Sequence, residues 1–161
     1  MGSGVSRMRL LLAVMALAIV WLAAAFIAPP PTNPAVVAEA GLEATSAVPV
    51  DVRTMLRTSC FDCHSDETRW PWYATAFPAS LLIDRDVEQG RGQVNFSQWS
   101  TYNEFDRADK LDDVCEQVRD TSMPLRHYRW LHPDATLSSN QIEALCAWTT
   151  REAERLMGGV E

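Results

Sequence analysis

Apolar and polar positions divide the chain into three stretches. From Leu10 to Ala28 no residue is charged, and Arg7 and Arg9 stand just before the run. A run of that length, wound as a helix, can cross a bilayer. No Lys or Arg follows until Arg53, so the positive-inside rule puts the N-terminus in the cytoplasm and the rest outside. A cleaved signal peptide is the competing reading, with Ala23-Ala24-Ala25 as a small-residue site. The length of the run, extended by Trp21-Leu22, favours a retained anchor. From Pro29 to about Val50 periodicity disappears, and Pro, Ala, Thr and Ser dominate. Pro29-Pro30-Pro31 stops the first helix, and a flexible tether with little packed structure is expected.

Helical spacing begins at Asp51. Asp51 reads as an N-cap, and Val52, Met55 and Leu56 predict a helix that carries Cys60 to His64 at its C-terminal end. Met55 lies upstream on this helix and reads as core. Ser65 to Tyr73 reads as a loop whose Trp70, Trp72 and Tyr73 should cover apolar surface. Pro78 opens a helix of roughly 79–89, with Leu82, Ile83 and Val87 inward and Gly90 and Gly92 as its end. Phe96 and Trp99 sit in a short connection and read as core or as edge contacts to a bound group. A third helix spans about 103–120, with Phe105, Ala108, Leu111, Val114, Cys115 and Val118 as its stripe. Ser138 and Gln141 form a capping box, and Leu137 can staple onto Ile142. The last helix then runs to about Met157, with Leu145, Cys146, Thr149 and Ala153 on one face and Gly158-Gly159 at its end. No strand-like alternation appears. The fold class is all-α, with segments 1–28 (anchor), 29–50 (tether) and 51–161 (globular domain).

Charge narrows the partners. The 161 residues hold 14 basic and 21 acidic side chains, a net of -7. Removing Arg7 and Arg9 leaves 12 basic against 21 acidic, a net of -9. No basic patch is present, so no nucleic-acid partner is expected. An acidic exported domain is steered toward basic surfaces on a partner.

The chemistry concentrates in Cys60-Phe61-Asp62-Cys63-His64. C-x-x-C-H is the pattern by which haem is attached covalently in c-type cytochromes. Cysteines three apart on one helical turn point the same way, and two such thiols can add to the two vinyl groups of a haem. His64 follows at once, and a neutral imidazole is a good axial ligand to its iron. Zinc or dithiol chemistry is the alternative. The other two cysteines, Cys115 and Cys146, are poorly spaced for a zinc site. Each lies on the apolar stripe of its helix, so in an exported domain the two are expected to form a disulfide.

Met123-Pro124 lies on a loop well beyond the motif. A thioether is a soft ligand that raises the potential of a His-ligated haem, so Met123 is the expected distal ligand. His127, one helical turn on, is its competitor. His132 precedes Pro133 and reads as structural, and Arg69 can pair with a haem propionate.

These residues together resemble the small bacterial haem-binding domain family, exported mono-haem proteins similar to c-type cytochromes. The resemblance is carried by Thr32-Asn33-Pro34, Cys60 to Tyr73, Arg85-Asp86-Val87, Asn95-Phe96-Ser97, Trp99, Met123-Pro124-Leu125, Leu131 to Ala135, Leu137-Ser138 and Ala147-Trp148. It implies a cytochrome c-like helical domain around one covalent haem c, with Cys60 and Cys63 as attachment sites and His64 as proximal ligand. It also favours Met123 as distal ligand. Cys115 and Cys146 depart from the family pattern, which has apolar residues there.

The expectation is an electron carrier rather than an enzyme, tethered to the cytoplasmic membrane with its haem domain on the periplasmic side. Its partners would be exported or membrane-bound redox proteins. The alternative is a haem-based peroxidase or gas sensor with a labile distal position, for which His127 is the evident acid–base group.

Overall fold

The computed structural model describes residues 2–27 and 31–158. Ala28, Pro29 and Pro30, at the expected junction of anchor and tether, lie outside them, as does Gly159 at the expected end of the last helix. The described residues are all-α, with no strand among them. They group into two units: residues up to 32 with 70–86, and residues 33–69 with 87 onward.

The first unit holds α1 (Gly2–Ile27). Within it Ser6–Ala23 has a mean hydropathy of 1.8 and is wholly exposed. Its length and composition are sufficient to cross a membrane. The same unit holds a 3-10 turn at Trp72–Thr75 and the start of α5 (Ala79–Gln93). Trp72 meets Tyr73 edge-on at 5.6 Å within this unit. Leu82, expected inward, is exposed, and the buried positions of α5 are Val87 and Gly90.

The second unit is built on α6 (Glu104–Arg119) and α8 (Ser139–Gly158), its most extensive helix pair. Asn103 caps α6 by accepting from the Asp106 N–H at 2.9 Å. Ser138 and Gln141 form the expected capping box, each side chain accepting from the other's backbone N–H, at 3.4 and 2.9 Å. Leu111, Cys115 and Val118 join Leu145, Cys146, Trp148 and Leu156 in one buried cluster. Cys115 and Cys146 are disulfide-bonded, with Cα atoms 4.9 Å apart. Phe105 departs from the expected stripe and is 67% exposed, because it lies in the first turn, before Ala108, the first buried residue of α6.

The second half of the stretch expected as a loose tether is packed, while residues 32–39 are exposed. The stretch forms a 3-10 turn at Ala38–Ala40 and α2 (Leu42–Thr45). Leu42 and Val48 are buried in the core. The Trp148 Nε1–H donates to the Ala47 carbonyl at 3.2 Å, and Glu43 accepts from Arg57 at 2.7 and 2.9 Å. Single anchors separated by irregular backbone hold this strap, and such spacing leaves no periodic signal.

The first globular helix also differs. α3 (Val50–Ser59) starts after Pro49, so Asp51 is a first-turn charge rather than the cap. It contributes Val52, Met55 and Leu56 to the core. The helix breaks at Cys60, and a single turn follows as α4 (Phe61–His64).

Candidate functional site

The break at Cys60 makes that residue the N-cap of α4, with Cys63 and His64 on the same turn. Neither cysteine is in a disulfide, and both are half-buried. Cys60 packs against the core, and this desolvation, with Cys63 contributing next, pushes its thiol up to about 12.

His64 is half-buried, with Nδ1 3.3 Å from the Val94 carbonyl oxygen. A carbonyl can only accept, so this contact favours the tautomer with the proton on Nδ1 and Nε2 unprotonated. Burial holds the ring's pKa below its ordinary value, against the opposing pull of the Val94 and Gly90 carbonyls. The result is a neutral imidazole, the form that binds a metal.

α5 explains how these backbone groups come so near. An ideal Cβ built on Gly90 would lie 2.5 Å from the Cys63 carbonyl oxygen. Only glycine permits that approach. Gly90 and Gly92 therefore lie inside α5, which runs on to Gln93, rather than ending it near residue 89.

Asp62, between the two cysteines, is a hub that sequence reasoning missed. It is 7% exposed. Its Oδ1 accepts from the Arg69 N–H and Nε–H, both at 3.1 Å, and its Oδ2 from Arg69 Nη2 at 3.2 Å. Tyr128 donates its hydroxyl to the same Oδ2 at 2.8 Å. Burial first, and Asp62 second, push the Tyr128 phenol above its ordinary pKa. Arg69, a candidate for a propionate, pairs with Asp62 in this structure. An acidic residue inside an otherwise apolar motif was the available signal.

Tyr128 belongs to α7 (Arg126–Leu131), a short helix just past Met123-Pro124. Met123 is half-buried, its N–H donates to the Gln117 carbonyl at 3.1 Å, and its peptide bond to Pro124 is cis. Cys60, Cys63 and His64 thus share one helical turn, and Met123 is linked to that turn through α7. His127 is exposed on α7. His132 stacks on Tyr128 with ring centroids 4.3 Å apart.

The Cys115–Cys146 bond withdraws both residues from any four-cysteine zinc site. Among the described residues no group of three or more His, Cys, Asp or Glu could hold a metal ion. What the chain does offer is two cysteines outside any disulfide, one turn apart, and an adjacent imidazole whose Nδ1 faces a carbonyl. That donor set fits a tetrapyrrole held by two thioethers and one axial nitrogen. A family model described as a haem-binding domain matches residues 19–151. No curated protein and no solved structure matches the chain.

Proposed function

This chain belongs to the haem-binding domain family, and we propose that it is a membrane-tethered electron carrier holding one haem c. In this reading Cys60 and Cys63 attach the haem, and His64 and Met123 ligate its iron. The observation that carries the reading is the placement of Cys60 and Cys63, neither in a disulfide, on one turn beside an imidazole whose Nδ1 is already engaged. Bound haem supplies a one-electron ferrous/ferric couple.

The chain's own residues do the rest. Cys60 and Cys63 would hold the haem by two thioethers, each the net addition of an S–H across a vinyl group with no leaving group. His64 presents Nε2, and the Val94 carbonyl strengthens it as a donor by accepting from Nδ1. Met123 is set by its backbone bond to Gln117, and Tyr128 ties the following helix to Asp62 in the motif. The thioether favours ferrous iron and a high potential. An exposed His127 is poorly suited as a distal acid–base group, which supports electron transfer over peroxide or gas chemistry.

The length and apolar composition of α1 support the tether. The partners would then be exported or membrane-bound redox proteins, with the haem domain on the periplasmic side. The test is an absorption spectrum of the purified full chain. A weak near-infrared sulfur-to-iron band when oxidised, and bands unmoved by carbon monoxide when reduced, are expected. Met123→Ala should remove the band and admit carbon monoxide, and His127→Ala should change neither. The reverse pattern would transfer the ligand role to His127. Carbon monoxide binding by the unaltered chain would favour the gas-sensing alternative.

A further inference from the structure

The peptide group between Val94 and Asn95 is held at both ends. Its carbonyl faces His64 Nδ1 at 3.3 Å. Its N–H, on the Asn95 side, donates to the Tyr102 hydroxyl at 3.0 Å. A peptide is planar, and its C=O and N–H point in opposite directions. Turning this plane to serve either end differently would break both bonds. The Tyr102 hydroxyl therefore fixes the direction in which the Val94 carbonyl points.

Tyr102 is itself well placed. Its ring meets Trp99 edge-on at 5.8 Å, and Lys110 Nζ sits 4.8 Å from its centroid. Trp99 is 1% exposed, so this support is part of the core. The Asn95 side chain braces the same peptide from the motif side. Its Nδ2 donates to Asp66 Oδ1 at 2.9 Å, and Asp66 stands two residues after His64. The Asp66 N–H in turn donates to Ser97 Oγ at 3.0 Å. The loop after His64 and the segment after Val94 are thus laced together. The Gly90 carbonyl, also near the ring, already accepts the Val94 N–H at 3.0 Å.

We propose that Tyr102 is a positioning residue for the iron's histidine ligand: by holding the Val94–Asn95 peptide it sets the Nδ1 hydrogen bond of His64 and so the donor strength of Nε2. This rests on the reading that His64 binds haem iron. A firm acceptor at Nδ1 makes an imidazole a better donor and favours ferric iron. Removing the hydroxyl should weaken the acceptor and shift the couple toward ferrous.

The experiment compares the haem-loaded full chain with Tyr102→Phe and Tyr102→Met, checking helicity by circular dichroism. Midpoint potential and solvent exchange of the His64 Nδ1 proton in the ferrous state are both read. Both variants should raise the potential, and their Nδ1 proton should exchange about tenfold faster, the change worth one ordinary hydrogen bond. Folded, haem-loaded variants with unchanged potential and exchange would overturn the proposal. If neither variant loads haem, the nitrogen-15 tautomer of His64 in the haem-free chains decides. Loss of the Nδ1-protonated form relative to the unaltered chain supports the proposal, and its retention overturns it. An unaltered chain that holds no haem contradicts the proposed function instead, and the same tautomer measurement still tests the role of Tyr102.

Discussion

Gly90 and Cys63 approach so closely that a β-carbon on Gly90 would lie 2.5 Å from the Cys63 carbonyl oxygen and 3.2 Å from the Cys63 Cβ. The obstruction is backbone, which cannot swing aside. Gly90→Ala must push α5 away from the motif and should cost about 1–3 kcal/mol. Gly92 lies in the same helix, and its β-carbon would meet nothing within 4 Å. Gly92→Ala should therefore stabilise by about 0.5–1 kcal/mol through helix propensity alone. Thermal unfolding of the two variants should move in opposite directions, and a parallel loss would show that the Cys63 contact is not what matters at Gly90.

Much of the second unit was legible because its signals are local or periodic. C-x-x-C-H is contiguous, and the capping box from Ser138 to Gln141 spans four residues. The stripes of α6 and α8 placed Cys115 and Cys146 on facing sides, which led to the disulfide. What escaped has no period. Leu42 and Val48 are lone anchors in a Pro- and Ala-rich segment. Gly90 reads as a helix stop in sequence, because sequence does not show the backbone it lies against. Tyr128 and Asp62 meet across 66 residues, and nothing local to either announces the pair.

That pair gives a second test. Tyr128→Phe deletes the donor to Asp62 but keeps a ring to stack on His132. Loss of a hydrogen bond to a buried carboxylate should cost about 1–3 kcal/mol. If α7 helps hold Met123 in place, the reduced haem-loaded variant should also bind carbon monoxide faster than the unaltered chain. Equal rates would mean that the loop is held by other contacts.

The Glu152–Arg155 pair should give the domain a pH dependence. Glu152 on α8 is 5% exposed and accepts from Arg155 at 2.9 and 2.7 Å. Arg155 holds its carboxyl below the usual 4.5, with a smaller contribution from Ser46 in the strap and burial opposing. A depressed folded pKa adds stability that is complete above the unfolded value and is lost as pH falls through the folded one. Glu152→Gln should cost about 1–2 kcal/mol at neutral pH, and the difference should shrink steadily below about pH 4.5. Parallel stability curves from pH 7 to pH 3 would exclude Glu152 as the source.

The disulfide closes a loop of 31 residues between α6 and α8. Changing both Cys115 and Cys146 to Ser should cost about 3–4 kcal/mol, as loop-closure entropy predicts. Alkylating the denatured, unreduced protein should leave both residues unlabelled. Label on Cys115 or Cys146 would mean that the bond does not form.

The central claim is that Cys60 and Cys63 hold haem covalently, and mass tests it most directly. Denature the chain purified from cells that mature c-type cytochromes, extract it with acidified organic solvent, and weigh the polypeptide. The account predicts a chain heavier by one haem, with colour remaining on the protein and no label on Cys60 or Cys63 after alkylation. Haem released into the solvent, with both of these thiols free to react, would contradict it.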